Sequence, residues 1–282
     1  ELLTALELFC LVLKCGRMVR PFLKLPFPVV ILDAYFENLN CNYVVPNNRQ
    51  GAYLATDYLI SRRMKQPGYL QSAYPLRNFS ERLEGFYHAV HDNGMSRSRC
   101  IIHQLSPTID GAMADMLAII DRGDTLADCY FADNDLIAIG TIKALRLRGY
   151  KVPKQVAIVG FDNISEGRII DPSLTSISIP RHYMGQVAAR ELLSQINEPR
   201  QHTCKIEVSA NLVKTIFSLT QKKVSQPFTS GCDTFFNYLL QRRLMPKSLS
   251  FYSIYDIFIC FEIIFENIIF YCKIITKFTF HL

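Results

Sequence analysis

The sequence predicts an α/β protein built on an open, mainly parallel sheet with helices on both faces. Three observations carry that expectation. Between residues 26 and 219, short apolar or β-branched runs alternate with segments whose apolar residues recur at helical spacing. The strand runs are almost continuously apolar, as strands covered on both faces are. Two of them, in "DCYFADND" and "AIVGFDN", run straight into acids and amides, and in such sheets ligands bind beyond the carboxyl ends of the strands.

The elements follow in order. "FPVVILD" reads as a buried strand, and "RQGAYLATDYLISRR" as a helix with Ala52, Ala55 and Leu59 on one face. "PGYLQSA" is a strand. "SERLEGFYHAVHDNG" is a helix through Leu83, Phe86, Tyr87 and Val90, stopped by Gly94. "RCIIHQL" is a strand, and "IDGAMADMLAIIDRG" a helix through Met113, Met116, Leu117 and Ile120. "ADCYFA" is a strand, followed by the helix "NDLIAIGTIKALRLRG", which Gly149 closes before Val152 and Pro153 turn the chain into "QVAIVGF". "SLTSISIP" precedes a helix over residues 181–196, and "CKIEVSANLV" ends the series.

Composition narrows the function classes. The 282 residues are 49% apolar and 20% charged with a net charge of +6, and no Lys/Arg block is long enough for a nucleic-acid arm. Nine cysteines without a CxxC pair argue against a disulfide framework and a zinc site. His88, His91, His103 and His182 are scattered, and neither a GxSxG elbow nor a Walker loop occurs. The expectation is therefore no catalytic set, no metal and no cofactor. "LELFCLVLKCG" lacks a basic leader and a cleavage site, so export is not expected. In the tail, Asp256, Glu262, Glu266 and Lys273 interrupt every stretch long enough to span a membrane.

Asp162 and its neighbour Asn163 stand where an apolar strand should leave the sheet, and Asn134 of "ADND" stands at the end of the strand before it. One reading makes these groups the wall of a ligand cleft. The other makes Asp133 a helix cap and Asp162 the start of a turn; pattern alone leaves both open.

Several stretches together carry a family resemblance: "YFADNDLIAIGTIKALRLRGYKVPKQVAIVGFDN", "DPSLTSISIPRHYMGQVAARELL", "NNRQGAYLATDYLI" and "ERLEGF". In that order and spacing they resemble the effector-binding core of the lactose/galactose-repressor family of bacterial transcription regulators, over residues 26–219. The resemblance implies a two-lobed, periplasmic-binding-protein-like fold of doubly wound parallel sheets, with a small ligand, a carbohydrate in most members, clasped between the lobes. It implies ligand contacts from Asp162, Asn134 and Arg82, with Asn78 adding a polar contact. A carboxylate accepting from adjacent hydroxyls, an amide and a forked guanidinium suit a polyol. Phe131 could lay its ring against a sugar, or be core. Arg82 could instead pair with Glu81 or Glu84 on the helix surface, and Asn78 with Glu81 could form a capping pair.

Against the family pattern, the helix-turn-helix headpiece and the first βα units are missing, so the N-terminal lobe is expected to be incomplete and DNA to be reached only through a headpiece this chain lacks. The expected boundaries are residues 1–65 for a truncated N-terminal lobe, 66–178 for the C-terminal lobe, 179–201 for a return to the N-terminal lobe, 202–220 for the C-terminal lobe again, and 221–282 for an aberrant apolar tail. A one-base shift of one DNA spelling of residues 7–18 encodes GIILLGTEMRED, which resembles the family strand expected before "RPFLKLPFPVV"; residues 1–19 are accordingly expected to be out of frame. From residue 251 onward Phe, Ile, Tyr, Asn and Lys dominate, the signature of translated AT-rich DNA. The functional expectation is the sugar-sensing core of a cytoplasmic regulator, homodimeric when intact, not an enzyme and not membrane-bound. The alternative is a solute-binding protein for sugar transport.

Overall fold

Alternating burial builds two sheets, each covered on both faces. The computed structural model describes residues 10–11, 19–20, 22–24, 28–63 and 65–215. The apolar tail, the proposed frame change at residues 1–19 and the membrane question at residues 251–280 therefore lie outside the described residues, apart from the short strand β1 and residue 19. Among the described residues no helix is long and apolar enough to cross a membrane.

The N-terminal lobe is a four-stranded parallel sheet in the order β1-β2-β3-β9, made from β1 (Cys10–Leu11), β2 (Val30–Leu32), β3 (Asn42–Pro46) and β9 (Lys205–Val208). Val30, Leu32 and Val44 point to one face, where Met184, Ala188 and Leu192 of helix α6 (Arg181–Asn197) cover them. Ile31, Tyr43 and Val45 point to the other, against Val19, Val29 and Cys41. Successive side chains on opposite faces are what a strand dictates.

The C-terminal lobe carries a six-stranded sheet in the order β10-β8-β7-β6-β4-β5. Its strands are β4 (Gly68–Ser72), β5 (Ile102–Leu105), β6 (Cys129–Ala132), β7 (Ala157–Asp162), β8 (Thr175–Ser178) and β10 (Asn211–Val213). All pair in parallel except β10, which runs antiparallel to β8. Leu70, Tyr130, Ala132 and Ile158 face helices α3 (Ile109–Asp121) and α4 (Asp135–Leu147). Tyr69, Cys129, Phe131, Val159 and Phe161 face α1 (Asn48–Arg63) and α2 (Arg77–Asp92). A four-residue helix α5 (Glu166–Ile169) follows β7. The chain winds outward from β4 to β5 and then back through β6, β7 and β8, so the strand order reverses between β4 and β6 and opens a crevice at their carboxyl ends.

This pairing divides the chain differently from the expected boundaries. Helix α1 packs on the six-stranded sheet, through Ala52, Ala55 and Leu59, because that small-residue stripe fits under the aromatic face of Phe131 and Phe161. Its contact with α2 is also close: a Cβ added at Gly85 would overlap the Arg49 carbonyl. Strand β9 pairs with β3 in the N-terminal lobe while β10 joins the C-terminal sheet. The chain thus crosses between lobes three times, at Asn47, between β8 and α6, and between β9 and β10.

Candidate functional site

The end of β7 answers why an apolar strand stops on an acid. Asp162 (φ 105°) and Asn163 (φ 50°) both occupy the left-handed region that side chains avoid. Local bonds hold the turn: Asn163 N donates to Ser176 Oγ at 3.1 Å, Asn163 Nδ2 to Ser178 Oγ at 3.3 Å, and Ile164 N to Asp135 Oδ2 at 2.9 Å. Asp135, at the first position of α4, also accepts from Ser176 Oγ at 2.6 Å. It fits against the strand because residue 160 is glycine; a Cβ there would collide with Asp135 Oδ1. The turn swings the Asp162 carboxylate off the sheet toward α2, where Arg82 Nη2 stands 3.6 Å from its Oδ1.

Arg82 is buried, which removes the alternative of a surface pair with Glu81 or Glu84. Its Nε donates to Asn48 Oδ1 at 3.0 Å, its Nη1 donates to the Asp133 carbonyl, and its guanidinium lies over the Phe161 ring at 3.7 Å. Asn134 caps α4, its Oδ1 accepting from Ile137 N at 2.9 Å, which leaves the Nδ2 amide as the group to offer. The cap is therefore Asn134, whereas Asp133 reaches back to β4, accepting from Ser72 N at 2.6 Å and from the Tyr69 hydroxyl. Asn78 does not cap α2, whose N-cap is Leu76; its Nδ2 crosses to the other lobe and donates to the Asp33 carbonyl at 2.8 Å.

The structure thus brings Asp162, Arg82 and Asn134 to the strand ends and sets Asn78 against the facing lobe. Phe131 is a correction. At 0% exposure it lies among Tyr69, Phe161 and the α1 stripe, so its ring has no surface to offer a ligand. Pleat direction explains this: at the end of a strand covered on both faces, either side is core.

Sequence reasoning passed over Asp33, which ends β2 of the N-terminal lobe as Asp162 ends β7. It too has positive φ, 62°, and "VVILD" offered the same signal as "IVGFD". Four acids gather here. Burial pushes Asp33 up to about 6, with the Asp162 charge adding and Arg82 and Arg181 opposing. Burial likewise raises Asp133 to about 6 and Asp135 to about 7, and raises Asp162 against the pull of the same two arginines.

These shifts fix a pH dependence. A group whose folded pKa lies above its unfolded value stabilises the fold below the unfolded value, and that contribution is lost as pH rises through the folded one. Stability is therefore expected to fall between about pH 4 and 7 from these acids. Groups such as Asp121, held low by the Arg148 hydrogen bond, act only at more acid pH. The thermal midpoint is expected to be higher at pH 5.5 than at pH 8, and Asp135→Asn to flatten the slope; a midpoint that rises from pH 5.5 to 8 contradicts the assignment.

A separate groove of about 620 Å³, lined by Arg63, Lys65, Asp124 and Tyr150 among others, lies at the amino ends of the same strands, the opposite end from Asp162.

Residues 56–214 match the family model described as "Periplasmic binding protein-like domain". The ribose operon repressor of Halalkalibacterium halodurans is 31% identical over 190 residues, covering 67% of this chain and 56% of the relative. Among solved structures, the complex of the transcriptional regulator CelR with cellobiose matches with a TM-score of 0.65 and 25% identity over 73% of this chain and 64% of that one. A LacI family transcriptional regulator from Enterococcus faecium with bound ribose matches with a TM-score of 0.60 and 26% identity, covering 66% and 69%. The chain spans a little over half the length of the curated relatives it matches. With two lobes, three crossings and a polar crevice at the strand ends, the chain belongs to the periplasmic binding protein-like family.

Proposed function

We propose that this chain is the effector-sensing core of a bacterial LacI-type transcriptional regulator and that its cleft takes a small carbohydrate. The observation that carries the reading is the convergence of strand ends from both lobes: Asp162 beside Arg82 from one, and from the other Asp33, whose carbonyl accepts from Asn78 across the gap. Such an arrangement lets one ligand touch both lobes, which is what closure by a ligand requires. Carboxylates that accept from hydroxyls and an amide that donates fit a polyol, and two similar structures hold cellobiose and ribose. The relatives are named as repressors and regulators, which favours sensing over sugar transport and over catalysis.

A cytoplasmic homodimer acting on DNA goes with this reading. Ile169, 82% exposed, and Leu147, 61% exposed, lie close in sequence to the two sides of the Arg146–Asp171 ion pair, and they support a second copy packing there. DNA contact is assigned, in this reading, to a headpiece separate from this core. Isothermal titration of the chain with mono- and disaccharides, beginning with D-ribose and cellobiose, is expected to give saturable heat for at least one sugar. No heat from any of them counts against the reading.

A further inference from the structure

Glu81 lies on α2 one residue before Arg82, with its side chain 4% exposed, yet its Oε1 has no hydrogen-bond partner. A buried carboxylate oxygen left unsatisfied is a cost the fold must offset elsewhere. Three cations surround it at the outer limit of hydrogen bonding: Arg77 Nε and Lys205 Nζ at 3.5 Å, and Arg49 Nη1 at 3.6 Å. Arg49 and Arg77 belong to the same lobe as Glu81. Lys205 belongs to β9 of the other lobe, where it also lies 2.7 Å from Glu207 Oε1 and 4.3 Å from the Tyr35 ring centroid. Glu81 therefore meets the facing lobe through a cation that is shared and not fully engaged.

Its other oxygen is engaged. Oε2 accepts from Asn48 Nδ2 at 3.1 Å, Asn48 Oδ1 accepts from Arg82 Nε at 3.0 Å, and Arg82 Nη2 stands 3.6 Å from Asp162 Oδ1. The two ends of the Asn48 amide are both used, so its orientation is fixed by its neighbours. The contacts run without a break from Lys205 on one lobe to Asp162 on the other.

We propose that Glu81 is a positioning residue that couples the Asp162 site to the angle between the lobes. Closure draws Lys205 onto Oε1, and the tightened Glu81, through Asn48 and Arg82, holds Asp162 where it accepts from the ligand. This rests on the cleft reading above. On closure Lys205, which stands 2.7 Å from Glu207 and 3.5 Å from Glu81, shifts its weight from Glu207 toward Glu81. A second cross-lobe pair, Arg77 with Glu37 at 2.8 Å, already stands closed beside it.

A double-mutant cycle on D-ribose binding tests the coupling. Lys205→Met and Glu81→Gln are each expected to weaken binding about tenfold, within the range of typical coupling between sites, and the double variant to bind no worse than the weaker single one. Unchanged affinity in Lys205→Met, or losses that multiply in the double variant, overturn the proposal. A cluster that only stabilises the fold would shift the ligand-free thermal midpoint and leave affinity alone. A second readout needs no ligand: in full-length chain labelled with 3-fluorotyrosine, the Tyr35 fluorine resonance, assigned by Tyr35→Phe, reports the position of Lys205. Glu81→Gln is expected to move it in the ligand-free protein, and an unmoved resonance overturns the contact. If the wild-type chain binds no sugar while that resonance moves, the cleft reading fails and the cross-lobe contact stands.

Discussion

Arg82→Leu is expected to destabilise the chain by about 3 kcal/mol, because removing one partner of a buried ion pair strands the other. The side chain is 4% exposed and serves four neighbours at once: Asn48, the Asp133 carbonyl, Asp162 and the Phe161 ring. Leucine keeps some of the apolar contact with Phe161 but satisfies none of the acceptors. The loss stays at the lower end for buried pairs because Asp162 is 25% exposed and water screens part of its charge. Arg82→Lys is expected to fall between, since an ammonium keeps the charge but not the planar fork that reaches Asn48 and Asp133 together. Urea unfolding reads both: the midpoint should drop while the slope stays, as in a change of stability rather than of compactness. A change below about 0.5 kcal/mol, the range of ordinary surface substitutions, would show that the guanidinium is not the centre of this cluster.

The fold was largely legible because strands and helices alternate with clear periods, and ten of the elements begin or end within a few residues of the sequence pattern. What escaped did so for physical reasons. Strand β3, Asn42–Pro46, follows β2 across a connection without a helix, so an expectation of strict alternation left no place for it, and its flanking "NLNCN" and terminal proline read as loop. "CKIEVSANLV" is one continuous alternating run in sequence, yet Ser209 and Ala210 carry the chain between two sheets; a run of residues does not record a change of sheet. The small-residue face of α1 announced burial without saying against which lobe. At the site, Asp162 and Asn134 were visible as polar ends to apolar strands. Arg82 stood at helix spacing that suits a surface ion pair equally well, and only the fold shows that Phe161 and Asn48 enclose it. The inward acids Asp133 and Asp135 could not be told from helix-cap residues, because their partners, Ser72, Tyr69 and Ser176, are distant in sequence.

The ligand-facing role of Asp162 should dominate binding. A carboxylate offers two acceptor oxygens to adjacent hydroxyls, and hydrogen bonds to a charged group contribute about 1.5–3 kcal/mol each. Asp162→Asn replaces one acceptor with a donor and removes the charge, so affinity for the bound sugar is expected to fall at least about a hundredfold, with each factor of ten corresponding to about 1.4 kcal/mol. The fold should survive the change: asparagine tolerates positive φ better than most residues, and its carbonyl oxygen still faces Arg82. Asp121→Asn, on the C-terminal lobe surface where Arg148 pairs with it, serves as the control and should bind as the wild type does. Calorimetric titration of these three proteins with the tightest-binding sugar is the decisive measurement. Saturable heat for the wild type and Asp121→Asn, with little or none for a folded Asp162→Asn, is the outcome this structure calls for; equal affinity in Asp162→Asn and the wild type would mean the strand-end acid does not hold the ligand.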